Sequence, residues 1–290
     1  MKIATRADPR AAPVREDVAV RCLYVDLDST LLGPGGALLR GGDGAFSLQG
    51  VRALQACDRA GAEVVLMSGR RKATVAENAR LFAQPAYIYE AGSCLVIDGE
   101  ESWLTGDYLP YGDAGSIHDQ IQAAGAPALL LEHYAGRLEY HDPWHHGREV
   151  SHLFRGLVDA VEADALLAEH GHGGLRLVDN GGVHRRSPDL VALSEVRAYH
   201  LVPRGASKGN AVALHMQARG YAPQDVVAAG DSREDMETAA HVGAFWFVAN
   251  AVQRDPTLRE AIGARANVRV AEQSYGAGVY EAVVTTLAGG

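Results

Sequence analysis

Strand and helix signals alternate over residues 18–89, stop, and resume after about residue 203, and this interrupted rhythm leaves few architectures open. VAVRCLYV (18–25) is an apolar run of the kind that forms a buried strand. A helix is expected from Ser47 to Ala60 on the spacing of Leu48, Val51, Leu54 and Gln55, with Gly61 as its stop. AEVVLMS (62–68) reads as a second strand, ATVAENARLFA (73–83) as a helix and AYIY (86–89) as a third strand. Such a succession implies parallel strands joined by right-handed crossovers. The same rhythm returns in SKGNAVALHMQARGY (207–221, helix), DVVAAGD (225–231, strand), REDMETAAHVG (233–243, helix) and FWFVAN (245–250, strand). RDPTLREAIG predicts a further helix, and YGAGVYEAVVTTLA (275–288) closes the chain.

The intervening residues read differently. LLLEHYAGRLEYH (129–141) predicts two strands about an Ala-Gly turn, and LRLVDNGGVHRR (175–186) carries the hairpin signal Asn180-Gly181. Residues 149–170 predict a long helix with Val150, Leu153, Phe154, Leu157, Val158 and Val161 on one stripe. The expected fold class is therefore α/β, a parallel-sheet core of residues 18–90 and 200–290 interrupted by an α+β module at 91–199.

Composition narrows the function. The formal charge of −9 in 290 residues argues against non-specific binding to nucleic acid or to an anionic membrane, which needs a positive face. Nothing approaches the ~20 apolar residues of a membrane span. Residues 1–17 contain no apolar stretch and read as a mobile leader rather than a signal peptide, which points to a cytoplasmic enzyme. The three cysteines are odd in number and form no CxxC pair, so neither a disulfide framework nor a zinc site is expected; Cys22 and Cys57 read as buried thiols. The stretch HYAGRLEYHDPWHHGREVSH holds five histidines, His133, His141, His145, His146 and His152, without a recognised zinc pattern. These read as surface or module histidines, with Trp144, His145 and His146 as a loop facing substrate. Trp103 and Trp246 read as core.

In an open parallel sheet, ligands bind beyond the carboxyl ends of the strands. The first strand ends in Asp26 and Asp28, and the second in Ser68, Gly69, Arg70 and Arg71. The strand at 225–229 ends in Gly230 and Asp231, with Asp235 one turn on, and Lys208 starts the helix before it. Several carboxylates suit Mg²⁺, whose preferred ligands are hard oxygens. A hydroxyl, a lysine and backbone N–H groups near helix starts suit a phosphate.

These residues resemble the haloacid dehalogenase superfamily of phosphatases. DLDST (26–30) matches its DxDxT motif, Ser68 in LMSGR its second motif, Lys208 its third, and GDSREDM (230–236) its fourth, GDxxxD. The insert lies between the second and third motifs, which is similar to the subclass IIB arrangement with a type-2 cap, of which Cof-like and mannosyl-3-phosphoglycerate phosphatases are members. The resemblance implies a Rossmann-like core with an α+β cap at 91–199.

It also implies roles. Asp26 is the nucleophile and Asp28 the general acid and base. Lys208 reduces charge repulsion, and Leu27, Ser68, Gly69, Arg70, Arg71 and Lys208 contact the phosphate or substrate. Asp26, Asp28, Asp231 and Asp235 hold Mg²⁺, with Asp28 contributing its backbone carbonyl. The implied reaction is hydrolysis of a small polar phosphate ester, a sugar phosphate or glycosyl-3-phosphoglycerate, by a monomer or homodimer. The alternatives are a phosphosugar mutase or a catalytically inactive phosphate-binding protein. Three positions depart from the usual pattern: Ser29 in place of Gly, Glu234 in place of Asn, and Ala91 in EAGS (90–93). His184, Arg185 and Arg186 are candidates for contacting a second anionic group.

Overall fold

A computed structural model describes residues 20–110, 115–183, 187–263 and 265–288; the leader and residues 184–186 lie outside them. β1 (Cys22–Asp26) is buried along its whole length, as expected for a strand with neighbours on both edges. α1 (Gln49–Ala60), β2 (Glu63–Met67), α2 (Lys72–Leu81) and β3 (Ala86–Tyr89) follow within two residues of expectation. Gly61 takes a left-handed φ of 70° and ends α1.

β4 (Cys94–Ile97) and β5 (Glu100–Trp103) then turn back antiparallel onto the main sheet. The expected module start at residue 91 thus falls ahead of two strands that belong to the main sheet. The second sheet and its core begin after them. They comprise α3 (Ile117–Ala123), α4 (Ala126–His133), β6 (Leu138–Tyr140), β7 (His152–Gly156), α5 (Ala160–Glu169), β8 (Leu175–Gly182) and β9 (Arg197–Pro203). The four strands form an antiparallel sheet in the order β6-β7-β9-β8.

Three local expectations change here. Residues 126–133 are helical, started by Pro127 in the first turn and rich in Leu, a good helix former. The long helix expected at 149–170 is instead β7 followed by α5, which starts at the N-cap Asp159. β7 is buried throughout, so its adjacent Leu153 and Phe154 are both covered although they face opposite sides, and such a pair fits a helix stripe as well. Asn180-Gly181 is no hairpin turn: it lies at a register shift inside β8, which continues to pair with β9.

The chain returns to the main sheet through α6 (Lys208–Arg219), β10 (Val226–Gly230), α7 (Arg233–Met236), β11 (Ala244–Phe247), α8 (Ala249–Arg254), α9 (Leu258–Ile262), β12 (Val268–Val270) and α10 (Tyr275–Ala288). The eight strands are ordered β12-β11-β10-β1-β2-β3-β4-β5, parallel from β12 to β3. The chain leaves β1 toward β2 on one side and later returns beside it as β10. β1 is therefore the point where strand order reverses, where an open α/β sheet forms its ligand crevice. Cys22, Cys57 and Cys94 are all buried and free, as read for the first two.

Glu90 fastens the second module to this sheet. Its carboxylate is fully buried and accepts hydrogen bonds from the backbone N–H groups of Glu149 (2.9 Å), Val150 (3.0 Å) and Ser151 (2.7 Å), and from Ser151 Oγ (3.0 Å). Glu90 and Ala91 have φ of 46° and 58°, a conformation that costs a non-glycine residue roughly 1–2 kcal/mol. The four hydrogen bonds and the burial of Ala91 against Val178, Val202 and Ala206 offset that strain. Glu90→Ala is expected to lower unfolding stability by at least about 3 kcal/mol, because three backbone donors lose their partner. Glu90→Gln should lose less. Denaturant titration checks both.

Candidate active site

β1, β2 and β10 end side by side, with Asp26 opposite Met67 and Val25 opposite Ala229. That register sets Asp26, Ser68 and Asp231 around one point. α6 adds Lys208 at its first residue, behind the N-cap Ser207, whose Oγ accepts from the Asn210 N–H. α7 adds Asp235 through a capping box: Asp235 Oδ2 accepts from Ser232 N–H (3.0 Å) and Ser232 Oγ (2.8 Å), and also from Asp231 N–H (2.9 Å).

Lys208 is almost fully buried. Its Nζ donates to Asp26 Oδ1 at 2.9 Å and to Asp235 Oδ1 at 2.7 Å, and lies 3.7 Å from Glu234 Oε2. Burial opposes its charge, but Asp235, Asp26 and Glu234 together push its pKa well above the ordinary lysine value. Burial pushes Asp26 well above the carboxylate range, with Asp235 and Asp231 adding to the rise and Lys208 opposing it. Burial and the adjacent Asp235 raise Asp231 to about 7. Asp231 Oδ2 accepts from the Arg254 guanidinium, and Thr30 Oγ1 donates to Oδ1 at 3.4 Å.

Asp28 is in a different setting. The chain turns after Asp26, with the Leu31 N–H on the Asp26 carbonyl, so the two carboxylates do not continue one strand face. The Asp28 side chain is exposed and takes a bidentate contact from Arg70, Nε and Nη2 each at 2.6 Å. Arg71 reaches the other way, donating to the His146 carbonyl at 3.3 Å. Ser68 Oγ accepts from the Arg70 N–H. The Leu27 side chain is wholly buried, so only its backbone is available to a ligand.

The second module closes over Gly69. Arg148, 8% exposed, donates from Nη1 to the Gly69 carbonyl and to Ser151 Oγ, each at 2.9 Å, and from Nε to the Trp144 carbonyl at 3.1 Å. A Cβ at Gly69 would stand 2.7 Å from His200 Nε2 and 3.0 Å from Asn180 Nδ2, which is why this position takes no side chain. Burial holds His200 well below its usual pKa, so it is neutral.

The donor set fits a hard divalent cation. Carboxylate oxygens of Asp26, Asp231 and Asp235 lie within 4.8 Å of one another. Asp26 Oδ2 is buried and has no hydrogen-bond partner among the described residues. A buried carboxylate oxygen left in that way asks for a cation. Asp235 is already engaged on both oxygens, so its part is to hold Lys208 and the Asp231 loop.

A family model described as sucrose-6F-phosphate phosphohydrolase matches residues 186–285, the stretch that supplies Lys208, Asp231 and Asp235. A phosphoglycolate phosphatase of Methanoculleus marisnigri is 29% identical over 232 residues, 77% of this chain and 82% of its own. In its motifs and in these matches the chain is similar to the haloacid dehalogenase superfamily of phosphatases. The fold agrees. A sucrose-phosphatase of Synechocystis superposes with a TM-score of 0.63 at 15% identity, covering 93% of this chain and 98% of that one. A haloacid dehalogenase-like hydrolase from Bacteroides thetaiotaomicron gives 0.56 at 15% identity, covering 92% and 99%.

The superfamily motifs converge as their order along the chain suggests, but several residues at the site escaped the sequence. Arg254, which faces Asp231 and Ser29 Oγ, sits on a helix with no motif around it. Arg148 and His200 come from the second module, where strand pairing decides position. Ala91, one of the departures, is fully buried, and its N–H donates to the Ser68 carbonyl. Glu234 is the more consequential departure. Both its oxygens are buried without a hydrogen-bond partner among the described residues, and burial raises its pKa to about 7.

A carboxyl whose folded pKa is raised costs stability once pH exceeds its unfolded value, and the cost is complete above the folded value. Glu234→Gln should therefore stabilise the metal-free protein by up to about 3 kcal/mol at pH 8 and hardly at all near pH 4.5. Thermal melts at the two pH values in EDTA measure the difference.

Proposed function

We propose that the chain is a Mg²⁺-dependent phosphomonoesterase working through an aspartyl-phosphate on Asp26. One observation carries the reading: a buried carboxylate, that of Asp26, has one oxygen on Lys208 and the other without a hydrogen-bond partner among the described residues, at the point where strand order reverses. Asp26 and Asp231, with the backbone carbonyl of Asp28, would hold the cation, which when bound offsets the negative charge of the phosphoryl oxygens. Lys208 screens the repulsion between the Asp26 carboxylate and the incoming dianion. The Ser68 hydroxyl and Gly69 N–H bind the remaining phosphoryl oxygens.

Asp26 attacks phosphorus while the ester P–O bond breaks, and Asp28 delivers a proton to the leaving oxygen. Asp28 then takes a proton from the water that opens the aspartyl-phosphate, which releases phosphate, restores the Asp26 carboxylate and leaves Asp28 protonated for the next turnover. Arg70 holds Asp28 at the rim and must yield it for the proton to move. Asp26→Asn should leave less than about a hundredth of wild-type turnover in a steady-state phosphate-release assay, with the melting temperature retained.

We read the substrate as a short phosphorylated carboxylate. The Methanoculleus relative is named for phosphoglycolate. Arg148 lies buried beside Gly69 with Arg71 near it, and two arginines there suit a second anionic group. The contact of His200 and Asn180 with Gly69 favours a short leaving group. Sugar phosphate is the second reading, supported by the family-model match at 186–285.

A phosphate-release panel of phosphoglycolate, phosphoglycerates, glycosyl-phosphoglycerates, sugar phosphates and nucleotides, with Mg²⁺ and with EDTA, tests both. The expected result is preference for the short carboxylates and loss of activity in EDTA. Conversion of a sugar 1-phosphate to its 6-phosphate without release would establish a mutase instead, and no turnover of any ester would leave a binding role. Arg148→Ala should raise KM for phosphoglycolate about 10- to 100-fold while changing kcat less, as for loss of a charged hydrogen bond.

A further inference from the structure

The turn after β6 brings together three side chains that the proposed reaction does not use. His145 N–H donates to the His141 carbonyl and His146 N–H to the Pro143 carbonyl, which folds residues 141–146 into a tight turn. Within that turn Asp142, His145 and His146 converge. We propose that Asp142, His145 and His146 form a binding site for a transition-metal dication of the Zn²⁺ type, on the outside of the second module and separate from the active-site carboxylates.

The distances favour it. Nε2 of His145 lies 3.6 Å, and Nε2 of His146 3.4 Å, from the same oxygen, Asp142 Oδ1. One ligand atom from each residue falls within 4.8 Å of the others. Tetrahedral zinc with bonds of about 2.0–2.2 Å separates its ligand atoms by roughly 3.3–3.6 Å. An ion can therefore meet all three with little side-chain movement, and a water completes the tetrahedron. Two imidazoles with one carboxylate suit Zn²⁺, Ni²⁺ or Cu²⁺ and not Mg²⁺.

The surroundings prepare the ligands. His145 stacks on Tyr140 with ring centroids 4.7 Å apart, which fixes its plane. Asp142 and His146 have side chains 67% and 65% exposed, which leaves the ion a path from solvent. The same turn also presents the Trp144 carbonyl to Arg148 and the His146 carbonyl to Arg71. A bound ion would stiffen the strap that sets both arginines beside Gly69.

The test uses tag-free full-length protein with Mg²⁺ in excess, so that the active-site carboxylates are occupied. Equilibrium dialysis against Zn²⁺ should give about one more bound ion per chain in wild type than in His145→Ala/His146→Ala. Trp144 stands between the ligands and reports separately: Ni²⁺ should quench tryptophan emission in wild type, Zn²⁺ should reverse it, and the double variant should show neither effect. Asp231→Asn should keep both signals. Should the double variant misfold, His146→Ala, at an exposed position, serves in its place. Equal zinc counts and equal quenching in wild type and variant would overturn the proposal. So would loss of both signals in Asp231→Asn, which would put the ion among the active-site carboxylates.

Discussion

The ammonium group of Lys208, sealed from water between Asp26 and Asp235, is the interaction on which the rest of this structure depends. Asp26 ends the first strand, Asp235 belongs to the capping box of α7, and Lys208 opens α6, with 182 positions between Lys208 and Asp26. Breaking a buried ion pair by removing one partner typically costs about 3–5 kcal/mol, because the other charge remains buried. The two halves of the main sheet are therefore tied to one another, and the long insert must return the chain to where it left. The same group explains why the site is electrostatically incomplete. Among the described residues one lysine faces Asp26, Asp235 and Glu234, with Asp231 next to them, and Arg254 pairs with Asp231.

Attachment of the second module follows the same logic with different groups. Glu90 spends its carboxylate on the backbone of residues 149–151, and Arg148, immediately before them, reaches the carbonyl of Gly69. A strained turn in the main sheet and the strap of the module thus hold each other. The pair also sets how closely His200 and Asn180 approach Gly69. The second module is positioned by the strand end next to the one that carries Ser68.

The main sheet and its motifs were legible because they rest on local signals. Apolar runs of strand length, glycine stops and strand-end carboxylates each need only a few neighbouring residues. The insert was less legible. β7 is buried on both faces, so its apolar residues showed no alternation and matched a helix stripe equally well. Asn180-Gly181 has hairpin composition, yet β9 pairs with β8 on both sides of it and turns it into an irregularity within the strand. The DPWHH turn carried ligand spacing that no zinc signature contains. Arg254 and Arg148 had no local mark, since their partners are Asp231 and Gly69, far off in the chain.

The sequence by itself determined a parallel α/β core, the four motifs at the carboxyl ends of its strands, and an inserted α+β module between the second and third. Periodicity and strand-end position suffice for those. Only the tertiary structure decided that Asp26 looks inward to Lys208 while Asp28 looks outward to Arg70. It alone placed Arg254 on Asp231 and set Glu234 in the interior with no hydrogen-bond donor among the described residues. These outcomes depend on a turn that interrupts β1 after Asp26 and on which distant strands and helices meet there. Pairings across long stretches of chain are set by packing, and local sequence pattern does not encode them.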